Sequence, residues 1–194
     1  MYVPAHFAVE DRSELIAFIR RHPFAIVTTS QDGHITATHA PLIIRENGEQ
    51  LWLTGHFARA NQQWKALEQG AEALVIFSGP HAYVSPALYE SKLAVPTWNY
   101  AAVHAYGHAS IVDSDDAVLR LVDEIDAKYR GQWDSLPEDF RHSMLRGLVA
   151  FEIQVVSLEG KYKLSQNRPV VDQARVAESF EGTELGDMMK RIKR

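Results

Sequence analysis

Two periodicities divide the chain before any single residue is considered. RSELIAFIRR, from Arg12, spaces Leu15, Ile16 and Ile19 at helical intervals, with Asp11 as N-cap, Glu14 three residues on and Pro23 as a stop. A short amphipathic helix is predicted there. FAIVTTS, ITATHAPLII and QLWLTGHF read as strands separated by the turn signals Gln31-Asp32-Gly33-His34 and Asn47-Gly48, which predicts an antiparallel meander. Residues 58–70 read as a helix carrying Trp64 and Leu67 and closed by Gly70, and EALVIFSG as a further strand. A polar, aromatic loop, PHAYVSPALYESK, leads to VPTWNY and a strand from about Tyr100 to Val112. That strand places Tyr100, Ala102, His104, Tyr106, His108 and Ser110 on one face and Ala101, Val103, Ala105, Gly107, Ala109 and Ile111 on the other. The second face is the apolar one. SDDAVLRLVDEIDAKYRG reads as a helix with Ser114 as N-cap and a stripe of Val118, Leu121, Val122 and Ile125. LVAFEIQVVSLEGKYKLS is a last strand or pair of strands, and the segment from Asp172 is helical.

Strands dominate the middle of the chain, and their connections are local hairpins rather than βαβ crossovers. This pattern predicts a mainly β protein, a closed or partly closed antiparallel barrel with peripheral helices, since closure removes exposed edges. At 194 residues the chain suits a single domain, 1–194. No apolar run approaches the ~20 residues of a membrane span, and the N-terminus lacks the basic and apolar blocks of a signal peptide, so no membrane contact and a cytoplasmic location are expected. With no cysteine, disulfides, thiolate metal sites and cysteine nucleophiles are all excluded. The net charge of -5 opposes broad nucleic-acid binding, and the dense basic cluster Lys190, Arg191, Lys193 and Arg194 reads as a solvated helix end.

Three clusters could carry chemistry. In LTGHFARANQQW, Thr54 and His56 share a strand face, Gly55 permits close backbone approach, and Arg59 and Asn61 stand in what reads as a helix's first turn, an arrangement that suits a phosphate or merely caps the helix. In GKYKLSQNRP, Lys161, Lys163, Ser165, Gln166, Asn167 and Arg168 gather cations and amides. In the third, Tyr83, Tyr89, Trp98 and Tyr100 offer flat faces, and Thr97 and Asn99 can read the edge of a heterocycle, or else the group closes a barrel end. His104 and His108 stand about 13 Å apart along a strand, too far to share one zinc ion.

MYVPAHF, ATHAPLI, LTGHFARANQQW, SGPHAYVSP, VPTWNYAAVHAYG and KLSQNRP, in that order, make the chain resemble the PaiB-like FMN-binding negative transcriptional regulators, within the flavin-binding split barrels that include pyridoxamine phosphate oxidases. The resemblance implies a six-stranded split barrel and a homodimer with FMN at its interface. It implies phosphate and ribityl contacts from Thr38, His39, Thr54, Gly55, His56, Arg59 and Asn61, although Ala60 stands where the oxidases carry a second cation. Thr97, Trp98 and Asn99 would border the isoalloxazine, with Lys163, Ser165 and Gln166 closing the site. The implied role is repression of transcription, on DNA directly or through a partner. An FMN-dependent oxidoreductase is the alternative, with Tyr100 and His104 as candidate reacting groups, and a haem-binding barrel is a third reading.

Overall fold

The computed structural model describes residues 1–90, 93–112, 114–129 and 131–192. Strands are β1 (Ala8–Val9), β2 (Phe24–Gln31), β3 (His34–Pro41), β4 (Ile43–Asn47), β5 (Gln50–Ala58), β6 (Glu72–Val84), β7 (Thr97–Val112) and β8 (Leu148–Lys163). Helices are α1 (Arg12–Arg21), α2 (Gln63–Glu68), α3 (Asp115–Tyr129), α4 (Glu138–Leu145), α5 (Val170–Ser179) and α6 (Glu184–Arg191). Among the described residues the strands form one eight-stranded sheet in the order β3-β2-β6-β7-β8-β5-β4, with β1 beside β8. The first and last strands of that order, β3 and β4, are neighbours in the chain, joined through Leu42 alone.

The chain forms two compact units, one of Met1–Phe18, Ser78–Val103 and Glu159–Arg194, the other of Ile19–Phe77 and His104–Leu158. In the second unit, β2 and β3 form a hairpin that runs from Phe24↔Pro41 to Gln31↔His34, and its turn is made by Asp32 and Gly33 at φ 51 and 75. Such a pair of positive φ values matches the twist of the strands it joins. A second hairpin pairs β4 with β5, and β5 pairs with β8 from Leu51↔Val155 to Ala58↔Leu148. Leu42, Leu53, Phe57, Phe151 and Ile153 are buried, with the Phe57 and Phe151 rings 4.7 Å apart. Val118 and Leu121 of α3 and Leu145 of α4 pack around Ala150 in a satellite core. In the first unit, Asp11 caps α1 as expected, its Oδ1 accepting from Ser13 Oγ at 2.6 Å, Ser13 N at 2.9 Å and Glu14 N at 3.4 Å, bonds that hold its carboxyl below the usual range, the hydroxyl's first. Val84, Tyr89 and Val176 form that unit's own apolar cluster, Arg168 lies 4.5 Å above the Tyr89 ring, and Asp172 accepts from Glu90 N.

The alternation expected along β7 holds: Ala101, Val103, Ala105 and Gly107 are buried, while the residues between them are partly exposed. Other readings need correction. ITATHAPLII is two strands, because Leu42 leaves the ladder to donate its N–H to Pro23 O at 2.8 Å, so the three strands form two separate hairpins instead of a meander. This break and the two-residue β1 raise the strand number from six to eight. The helix read over 58–70 begins only at Gln63, since the preceding residues make turns of their own. β6 continues to Val84 through residues read as loop, and β7 begins at Thr97, so TWNY lies within the strand. The C-terminal segment is two helices beginning at Val170, and α4 adds a helix over Glu138–Leu145 to those expected. Of the basic cluster, Lys193 and Arg194 lie outside the described residues, and Lys190 pairs with Glu181 at 2.8 Å.

A Cβ on Gly107 would stand 2.1 Å from Gln154 O and 2.8 Å from Ile153 Cγ2. Gly107→Ala is therefore expected to destabilise the protein by about 1–3 kcal/mol in urea unfolding, through overpacking that backbone cannot relieve. Gly33→Asn, with open space around it and a residue that tolerates positive φ, is expected to change stability by less than about 0.5 kcal/mol.

Candidate functional site

The residues singled out from sequence fall into both units. In the second unit, Thr38 and His39 are adjacent on β3 and point to opposite faces: Thr38 is half-buried and bonded inward, while His39 is exposed and stacks on Phe24 at 5.9 Å. The hub of this group is Gln63, a residue that sequence reasoning passed over. Its side chain is buried and takes Thr38 Oγ1 as donor at 2.5 Å, while its Nε2 donates to Val27 O at 2.9 Å, Thr36 O at 3.2 Å and Thr29 Oγ1 at 3.3 Å. Asn61 joins the same network, donating to Thr38 Oγ1 at 2.8 Å and accepting from Gln63 N at 3.1 Å. Asn61 stands one residue before the N-cap Gln62, and its side chain occupies the first amide of α2, which would otherwise face an anion.

Arg59 is similarly committed. Its Nε donates to Arg146 O and its Nη2 to Leu148 O, both at 3.0 Å, so the guanidinium fork closes on main-chain carbonyls where α4 runs into β8. Gly55 is approached closely, but by the core: a Cβ there would meet Leu42 Cδ2 at 2.3 Å. Thr54 and His56 do share a face of β5, as their β8 partners Glu152 and Ala150 show. Thr54 is buried and its Oγ1 accepts from Arg45 Nη1 at 3.3 Å. His56 Nδ1 is buried without a hydrogen-bond partner among the described residues, and burial lowers the imidazole's pKa, so the ring is neutral at pH 7. Arg45 also pairs with Glu124 of α3 and lies 3.8 Å from Glu152, which balances its charge locally.

The first unit assembles the other set. Trp98 is 54% exposed, an unusual position for an indole, with the His81 and Tyr83 rings each 6.1 Å from it. Ser78, Gly79, His81, Trp98, Tyr100, Ala101 and Ala102 line an open hollow of about 320 Å³. The next residue of β7, Asn99, points the other way and is 1% exposed; it bonds to Ser165. Gln166 bonds within its own loop, accepting from Leu164 N at 2.6 Å and donating to Tyr162 O at 2.5 Å. Lys163 Nζ donates to Thr97 Oγ1 and, at 2.8 Å, to Trp98 O. Lys161 Nζ donates to Tyr2 O at 2.9 Å and lies 5.4 Å from the centre of the Tyr100 ring.

Three cations, Lys161, Lys163 and Arg168, therefore meet carbonyls, a hydroxyl and aromatic faces, and among the described residues none of them meets a carboxylate. Their mutual effect is visible on Lys163, whose pKa is lowered by desolvation first and by Lys161 and Arg168 second. An unneutralised cationic corner beside a half-exposed indole, with a hollow at hand, fits a flat-ringed anion such as FMN.

Residues 1–157 match the model of the family described as "Putative FMN-binding domain". The chain is 40% identical over 189 residues to "Protease synthase and sporulation protein PAI 2" of Bacillus subtilis strain 168, covering 95% of this chain and 91% of that protein. Among solved structures it is similar to the FAD and heme binding protein from Mycobacterium smegmatis, with TM-score 0.60 and 20% identity over 80% of this chain and 73% of that one. It is also similar to the flavocytochrome Anf3 from Azotobacter vinelandii, with TM-score 0.61 and 17% identity over 83% and 72% of the two chains. At those identities the two structures speak for the fold alone. The chain belongs to the FMN-binding family whose model it matches, its fold is the mainly β split barrel and its cofactor is FMN.

Proposed function

We propose that this chain works as a flavin-loaded homodimer that represses transcription. The observation that carries the cofactor's placement is the cationic trio of Lys161, Lys163 and Arg168, gathered without a carboxylate in a protein whose net charge is -5. Holding like charges together costs free energy, and an anion offsets that cost. The trio takes the cofactor's negative charge, and Trp98, with His81 and Tyr83 beside it, walls the ring. When bound, FMN supplies a ring that takes up and releases electrons. The chain's own residues bind it, orient it and exclude water: Lys163 is held on the Trp98 carbonyl, which keeps cation and ring wall in register.

The dimer is supported by a bare sheet face in the second unit. Phe24 and Ile35 are 62% and 68% exposed, and the registers place Ile26, Ala37, His39, Leu74 and Ile76 on the same side as Phe24. Thr28, Ser30 and His39 interrupt this face, but large apolar residues exposed together on one sheet face are uncommon on a monomer. The regulatory role is supported by the 40% identical relative, whose name ties it to protease synthesis and sporulation. The net negative charge favours action through a protein partner over broad contact with DNA.

Titration with FMN and with riboflavin, followed by flavin fluorescence, tests the placement. Lys163→Met is expected to weaken FMN about tenfold, the worth of one charge-assisted hydrogen bond, and to leave riboflavin within about twofold. Because the Lys163 pKa is lowered, FMN affinity is expected to fall with rising pH below the ordinary lysine range, and Lys163→Met to abolish that dependence. Equal binding of both ligands by both proteins at every pH contradicts the placement. For the dimer, the pair Phe24→Glu and Ile35→Glu is expected to halve the mass seen by light scattering; an unchanged mass removes this face from the interface. Transcript levels unaltered by deletion of the gene contradict the regulatory role.

A further inference from the structure

We infer that Asn99 and Ser165 are positioning residues, a buried clamp that holds the Lys163 ammonium on the Thr97 hydroxyl and the Trp98 carbonyl; their effect on cofactor binding rests on the flavin placement proposed above. The two side chains bond reciprocally: Asn99 Nδ2 donates to Ser165 Oγ at 2.9 Å, and Ser165 Oγ lies 3.3 Å from Asn99 Oδ1, to which its hydroxyl donates. Both residues are buried, so neither offers a surface to a ligand. Asn99 Nδ2 also lies 3.7 Å from Met189 Sδ of α6, which closes the clamp from the C-terminal side.

Ser165 has φ 69, in the left-handed region that non-glycine residues adopt only where their surroundings enforce it. Two neighbours supply the constraint. Asn99 holds the hydroxyl from β7, and the Gln166 side chain spans the turn from Leu164 N to Tyr162 O. Lys163 stands inside this stapled turn and reaches back to Thr97 Oγ1 and Trp98 O. Three successive residues of β7, Thr97, Trp98 and Asn99, are thus each bonded to the turn that bears the cation. A lysine left to itself spreads over many rotamers, and holding it in place beforehand removes that ordering cost from binding. The charged groups that act on its ammonium are Lys161 on the same strand and Arg168 in the following loop.

Ser165→Gly separates clamp from fold, because glycine accepts the positive φ while the hydroxyl is lost. In the full-length apoprotein, NMR titration of the lysine side chains is expected to show the Lys163 pKa rising toward the ordinary lysine value in Ser165→Gly, as the freed ammonium regains water. With FMN, the same substitution is expected to weaken binding about tenfold in the wild-type background and by less than about twofold in a Lys163→Met background. An unmoved Lys163 titration overturns the clamp. So does an equal loss of affinity in both backgrounds, which would make Ser165 a direct contact. Failure of the wild-type protein to take up FMN would overturn the flavin placement instead, and the apoprotein titration would still decide the clamp.

Discussion

Gly107 sits so close to the Gln154 carbonyl that β7 admits no side chain there, and the alternation of the whole strand follows from that contact. A strand displaced by one residue would turn every side chain to the opposite face. With Gly107, Ala105, Val103 and Ala101 inward, Asn99 is inward as well, and Trp98 and Tyr100 face outward. The half-exposed indole and the buried amide are therefore two consequences of one packing constraint. β8 is the neighbour of β7 in the sheet, and it carries Lys161 and Lys163 at its end.

The two units treat their polar groups differently, and that difference directs the functional reading. Around Gln63 the second unit satisfies its hydroxyls and amides among themselves, and Arg59 is spent on carbonyls. Polar groups satisfied in this way stabilise a fold and leave little for a ligand. In the first unit, Lys161, Lys163 and Arg168 are held by neutral groups that keep the cations in place without cancelling their charge. Anion binding is the chemistry such a corner is ready to perform, and an FMN-binding family supplies the anion.

Period-two alternation made β7 legible from sequence, because from Val103 to Gly107 small or apolar residues alternate with His104 and Tyr106, and Ala102 is the one small residue on the outward face. Its beginning was less legible: Pro96 and the polar TWN segment resemble a loop locally, and only pairing with neighbouring strands extends the ladder to Thr97. The partners of Arg59 were not legible for a physical reason. Its carbonyl partners stand 87 and 89 residues further on, beyond the reach of any local pattern. Gln63 passed unnoticed because an amide in a helical stretch looks like a solvated residue until the strands that receive it are in place. Asn99 and Ser165 were recognised as hydrogen-bonding residues, but each turned out to be the other's partner. The pairing spans 66 residues, and nothing in either segment announces it.

The proposed placement puts the negative charge of FMN at the end of β8, the neighbour of the strand that carries Trp98, and not at the turn that bears Arg59. A crystal structure of the protein with FMN tests this most directly. The account predicts the flavin ring against Trp98, with an anionic oxygen of the cofactor within hydrogen-bond distance of Lys161 or Lys163. A phosphate lodged on the Arg59 guanidinium, with Lys163 still turned to the Trp98 carbonyl and no flavin near it, would contradict it.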